Sequence, residues 1–124
     1  MLANLPLQTS IPTSDLERAQ QFYTEALGLT PIGERGGGPS YQCQNSILVL
    51  VRNANAITEH YSLITWLTEN IETEMAALRA KGLVFENYDL PFLKTVDGIA
   101  TLGADKVAWF KDSEGNLLAL AQLG

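Results

Sequence analysis

The chain has 124 residues, 46% hydrophobic and 18% charged, which bounds it to one globular domain or two small halves sharing a core. Its 14 acidic and 8 basic residues give a net charge of −6, and the scattered basic residues exclude a nucleic-acid partner. No apolar run approaches the roughly 20 residues that span a bilayer, no leader pattern opens the chain and the lone Cys43 fits a reducing compartment, so a cytoplasmic protein without a membrane partner is expected.

From Leu5 to Ile11 the residues alternate. Leu5, Leu7, Thr9 and Ile11 fall on one face and Pro6, Gln8 and Ser10 on the other, which predicts a half-buried strand. Ser14 with Glu17 forms a capping box, and Asp15 adds negative charge to the first helical turn. Leu16, Ala19, Phe22, Tyr23, Ala26 and Leu27 then recur at helical spacing, and Gly28 ends the helix. Strands are expected over 30–35, 41–44 and 47–52. The glycine cluster before Pro39 is a loop; it lacks the lysine and the following helix of a phosphate-binding loop.

The second half repeats this order. Residues 61–68 read as a strand, and Asn70 as the cap of a helix with the apolar stripe Ile71, Met75 and Leu78, closed by Gly82. Strands over 84–88, 107–111 and 117–122 follow, with a less regular stretch from Asp89 to about Leu102. Asp112 to Asn116 is a turn in which Gly115 supplies a positive φ. The order β-α-β-β-β thus occurs twice. Asp15-Leu16-Glu17 recurs as Asn70-Ile71-Glu72, Gly28 as Gly82, and Asn45-Ser-Ile-Leu-Val-Leu50 loosely as Asn116-Leu-Leu-Ala-Leu-Ala121. A ferredoxin-like domain has too few strands for this pattern, and a cystatin-like cone puts its helix before most strands.

In its first helix, with Phe22-Tyr23 and Leu27-Gly28, and in the segment from Val107 to Ala121 around Asp112-Ser-Glu-Gly-Asn116, the chain resembles the vicinal-oxygen-chelate superfamily of glyoxalases, bleomycin-resistance proteins and dioxygenases. Ser113 stands where the family usually has proline. The resemblance spans nearly the whole chain and implies an α+β fold: one domain of two βαβββ modules, about 1–56 and 57–124. Their mixed sheet would curl into an open cup with helices on the convex side. It also implies a homodimer, with the cup built within one chain or across two. Metal ligands in such proteins come from the first and last strands of each module. Carried over, those positions are Gln8, Leu48, Leu63 (within a residue) and Ala119. Three of the four offer no donor, so neither a metal nor another cofactor is expected. His60, the only histidine, is expected at the surface rather than as a displaced ligand, and neighbouring Glu59 would point to the opposite face.

Alternation then assigns the cup wall. Gln8, Ser10, Leu48, Leu63, Thr65, Val107, Trp109, Leu117 and Ala119 are the candidate ligand-binding residues, with Ile64, Trp66, Leu118 and Leu120 beneath the helices. Such a lining suits a small organic ligand, and Trp109 suits a planar or cationic one. Ordinary packing is the alternative for each residue. No catalytic residue is assigned: a nucleophilic pair would need Cys43 and His60 to meet, and nothing places Glu34, Glu86 or Asp89 together. Two functions follow. One is a metal-independent small-molecule-binding protein, with drug sequestration as its concrete form. The other is a superfamily enzyme with a non-standard site: a glyoxalase-like lyase or isomerase, an extradiol dioxygenase or a fosfomycin thiol transferase. Those reactions use a metal.

Overall fold

The computed structural model describes residues 2–35, 38–52 and 62–124, and the chain divides into two compact units, Met1–Ile57 and Thr58–Gly124. Gly36, Gly37, Glu59, His60 and Tyr61 lie outside the described residues. In the first unit a short 3-10 turn at Leu2–Asn4 precedes β1 (Gln8–Thr13) and helix α1 (Leu16–Gln21). A π-helical turn over Phe22–Ala26 continues the helix, and β2 (Thr30–Arg35), β3 (Gly38–Cys43) and β4 (Ser46–Arg52) follow. The strands lie in the order β1-β4-β3-β2, with β1 parallel to β4 and the other pairs antiparallel.

β1 begins three residues later than the alternation predicts. Its first pair is Gln8 with Ile47, at the start of β4, so Leu5 and Leu7 have no partner in that ladder and are 61% and 82% exposed. The helix cap also differs. Asp15, in extended conformation, accepts the Arg18 N–H at 3.0 Å, and the expected cap Ser14 instead accepts from the Arg18 guanidinium at 3.3 Å. Ala19 and Tyr23 are buried against the sheet. The Tyr23 and Tyr41 rings lie 6.2 Å apart, and the Tyr41 hydroxyl sits 3.2 Å from the Gln20 carbonyl and 3.0 Å from Thr24 Oγ1. The Tyr41 side of the sheet is therefore the helix side.

The second unit has the same logic with one interruption. It contains β5 (Ile64–Leu67), α2 (Ile71–Ala80), a hairpin of β6 (Asp89–Leu90) and β7 (Leu93–Lys94), then β8 (Ala100–Leu102), β9 (Asp105–Lys111) and β10 (Leu117–Gln122). Its main sheet runs β5-β10-β9-β8, again with first and last strands parallel. Asn70 caps α2 as expected, accepting the Thr73 N–H at 3.1 Å, and Gln122 Oε1 accepts the Ile71 N–H at 2.9 Å, tying the helix start to the end of β10. Gly28 and Gly82, matched in the repeat, both end their helices with positive φ. The strand expected over 84–88 is reduced to one bridge, Phe85 with Phe110, plus a 2.8 Å bond from the Glu86 N–H to the Trp109 carbonyl. The rest of the outer edge of β9 is taken by β8, where Ala100 pairs with Val107. Two segments thus share an edge that a single strand was expected to fill. Among the described residues no helix is long and apolar enough to cross a membrane.

The turn between β9 and β10 is organised by a buried carboxylate. Asp112 Oδ1 accepts the N–H groups of Glu114 and Asn116, each at 2.8 Å, and Oδ2 accepts from the Asn116 side chain at 2.9 Å. Asp112→Ala strands buried donors and is expected to cost about 2–3 kcal/mol. Asp112→Asn, which keeps one acceptor, should lose less. Urea midpoints of the two variants check the order.

Candidate functional site

The second sheet has two chemically different faces. Cross-strand neighbours share a face, and the register pairs Thr65 with Ala119 and Ala119 with Trp109 in one row, and Leu67 with Ala121 and Ala121 with Val107 in another. Leu117 lies on this same side, and Leu63, whose N–H donates to the Leu117 carbonyl at 2.9 Å, extends the alternation of β5. The opposite side carries Ile64, Trp66, Phe110, Leu118 and Leu120, with Phe85 bridging to Phe110. That side belongs to α2: Lys106 Nζ reaches Glu72 on the helix at 3.2 Å, and the Arg79 guanidinium lies over the Phe85 ring at 5.2 Å. Six of the nine candidate residues, Leu63, Thr65, Val107, Trp109, Leu117 and Ala119, therefore stand together on the side away from α2. Leu117 and Ala119 are buried, Leu63, Val107 and Trp109 half-buried, and Thr65 exposed.

Two further side chains join this face. Glu86 bonds to the backbone of Trp109, and alternation about Phe85 sets Glu86 and Tyr88 on the Trp109 side. The Tyr88 and Trp109 rings meet edge to face, with centroids 5.6 Å apart and planes at 81°. Glu86 Oε1 lies 3.7 Å from Lys111 Nζ. Burial, and then the charge of Glu86, hold the Tyr88 phenol above the usual tyrosine range. Tyr88 is fixed through its backbone, whose N–H donates to Thr95 Oγ1 at 2.8 Å and whose carbonyl accepts the Thr95 N–H at 2.9 Å. The strand expected over 84–88 contained both residues, but its pairing with Trp109 follows from the Phe85–Phe110 bridge.

In the first unit Gln8 and Ser10 share one exposed face of β1, opposite buried Ile11 and Thr13. Leu48 does not join them, and its expected face is corrected. It pairs with Thr9 on one side and Tyr41 on the other, which puts it on the helix side; Val49, the partner of Ser10, takes the face expected of Leu48.

A family model for the N-terminal part of bleomycin-resistance-like proteins matches residues 7–33, which hold β1, α1 and most of β2. No curated protein matches this sequence. Solved structures match over almost the full length. TnmS3, an antibiotic-binding protein from Streptomyces sp. CB03234, is 21% identical, with 100% of this chain and 99% of that chain covered and a TM-score of 0.67. The chain has the glyoxalase and bleomycin-resistance fold. A glyoxalase/bleomycin-resistance protein/dioxygenase from Nocardioides (20% identity, 96% and 83% coverage, TM-score 0.67) shares it. So does lactoylglutathione lyase from Agrobacterium tumefaciens (17% identity, 96% and 93% coverage, TM-score 0.66).

The resemblance implies a divalent ion at the strand positions named above, and the residues at those four positions do not fit one. Leu63 and Ala119 present hydrocarbon, Leu48 presents hydrocarbon on the helix side, and Gln8 is a single neutral amide at an exposed strand start. Among the described residues no three His, Cys, Asp or Glu side chains group closely enough to hold a metal ion. An open catalytic site generally needs about three protein ligands.

Proposed function

We propose that this chain is a metal-independent binding protein for a small organic molecule, apolar, aromatic or cationic, acting as a cytoplasmic homodimer in the manner of drug sequestration. The observation that carries the reading is the Trp109 face of the second sheet. It combines a half-buried indole and a phenol held at right angles with a hydrocarbon wall of Leu63, Val107, Leu117 and Ala119. Thr65 contributes a hydroxyl, and Gln8 and Ser10 are the matching polar positions of the first sheet. The antibiotic-binding description of TnmS3 supports the same reading.

A thermal-shift screen against divalent metals, thiols and aromatic drugs tests it. A ligand at 100 times its dissociation constant adds about 2.7 kcal/mol of stability, well within reach of such a screen. The expected hits are aromatic compounds, with no shift from metals. Trp109→Ala is expected to weaken the best hit by about tenfold or more, measured by calorimetry, because it removes the ring that the ligand stacks on. Unchanged affinity would remove Trp109 from the site. A second reading, metal-free catalysis, rests on Glu86 and Tyr88, proton-exchanging groups that stand beside Trp109. Turnover of a bound compound that Glu86→Gln abolishes would establish it.

A further inference from the structure

The Tyr88–Trp109 corner carries a charge preference. We propose that it seats an organic ammonium group against the two rings, with Glu86 as its counter-ion. This rests on the reading of that face as a small-molecule site and narrows it to a cationic ligand.

Three observations converge on the corner. The two rings stand edge to face at 81° with centroids 5.6 Å apart, so the face of one and the flank of the other bound a single corner. A cation within about 6 Å of such a face is attracted by the ring quadrupole, and aromatic walls are the usual receptor for ammonium groups. A carboxylate lies on the same face: Glu86 is bonded through its backbone to Trp109, and its charge acts on the Tyr88 phenol. That carboxylate is incompletely paired. Its contact with Lys111 is 3.7 Å, longer than the roughly 2.7–2.9 Å of a direct charge-assisted bond, and the two side chains are 32% and 48% exposed. A pair this solvated exchanges readily with a competing cation. A ligand ammonium therefore takes the place of the Lys111 charge at Glu86 and gains the aromatic walls. The net charge of −6 works in the same direction, favouring approach of cations over anions.

The test is a titration of the full chain followed by NMR at the Trp109 indole N–H, assigned by its loss in Trp109→Phe. The probes are benzyltrimethylammonium, benzyl alcohol and benzoate. The cation should bind at least about tenfold tighter than either of the others. Glu86→Gln should remove most of that preference while leaving benzyl alcohol unchanged, and Lys111→Gln should strengthen the cation. Equal binding of cation and alcohol, a preference for benzoate, or a cation preference that survives Glu86→Gln overturns the proposal but leaves the small-molecule site standing. If none of the three probes moves the indole resonance, the proposal and the site reading fall together. Circular dichroism melts of all three variants verify that they are folded.

Discussion

Phe110→Ala is expected to lower the stability of the chain by about 3–5 kcal/mol, the range for deleting a buried aromatic ring. The ring is 1% exposed. It stacks on Trp66 with centroids 6.3 Å apart and planes at 20°, and it meets Phe85 edge to face at 5.6 Å. Removing it empties the layer between the second sheet and α2. A chain of this length has about 6–19 kcal/mol of stability in total, so the loss is a large fraction. The adjacent Trp109→Ala gives the contrast. That indole is half-buried on the other face, and its loss should cost only about 1–2 kcal/mol of stability while removing ligand affinity. Urea unfolding of the two variants, followed by circular dichroism, measures the difference. Equal losses would contradict the two-faced description of β9.

Gly38→Ala is expected to cost about 3 kcal/mol or more, at the upper end of overpacking effects, although it adds one methyl group. A Cβ at this position would lie 1.9 Å from the Leu50 carbonyl oxygen and 3.1 Å from its carbon. The obstacle is backbone, so no rotamer change relieves it. Nor can β4 withdraw: it lies between β1 and β3, and Leu50 is paired with Ile11 on the far side. The requirement is steric, because Gly38 is not among the positive-φ glycines. The expected signature is a lowered thermal midpoint with faster amide exchange in β3 and β4. An unchanged midpoint would mean that this approach is looser than described.

Much of the fold is legible from local signals. Period-two alternation separates Trp109 from Phe110 and Thr65 from Trp66, because a strand cannot turn neighbouring side chains the same way. Asn70, Gly28 and Gly82 mark helix ends through capping chemistry that is local to a few residues. Leu48 shows where this stops. The segment Ile47-Leu-Val-Leu-Val51 is apolar on both faces, so its alternation carries no phase. Matching it to Leu117–Gln122 through the repeat inverted it. The first hairpin closes on Cys43 and Ser46, a pair on the helix side, whereas the second closes on Lys111 and Leu117, a pair on the other side. A shift of one residue exchanges the faces of the whole strand.

The Glu86–Tyr88 stretch is a different kind of miss. Its residues suit a strand, but β9 offers them only part of an edge, because β8 returns to the same edge after the β6–β7 hairpin. No local signal records that competition.

By itself the sequence determined the doubled βαβββ order, the helix boundaries to within a few residues, the absence of metal donors at Leu63 and Ala119, and the grouping of Trp109 with Val107, Leu117 and Thr65. The first three depend on periodicity and residue chemistry within one segment, and the grouping of Trp109 with Thr65 takes the phase of each strand from the resemblance to glyoxalase-fold proteins. Tertiary structure alone decided which face Leu48 takes and that Tyr88 and Glu86 stand beside Trp109. Those depend on register between strands distant in the chain, where pairing geometry, rather than the residues of either strand, sets which side chains meet.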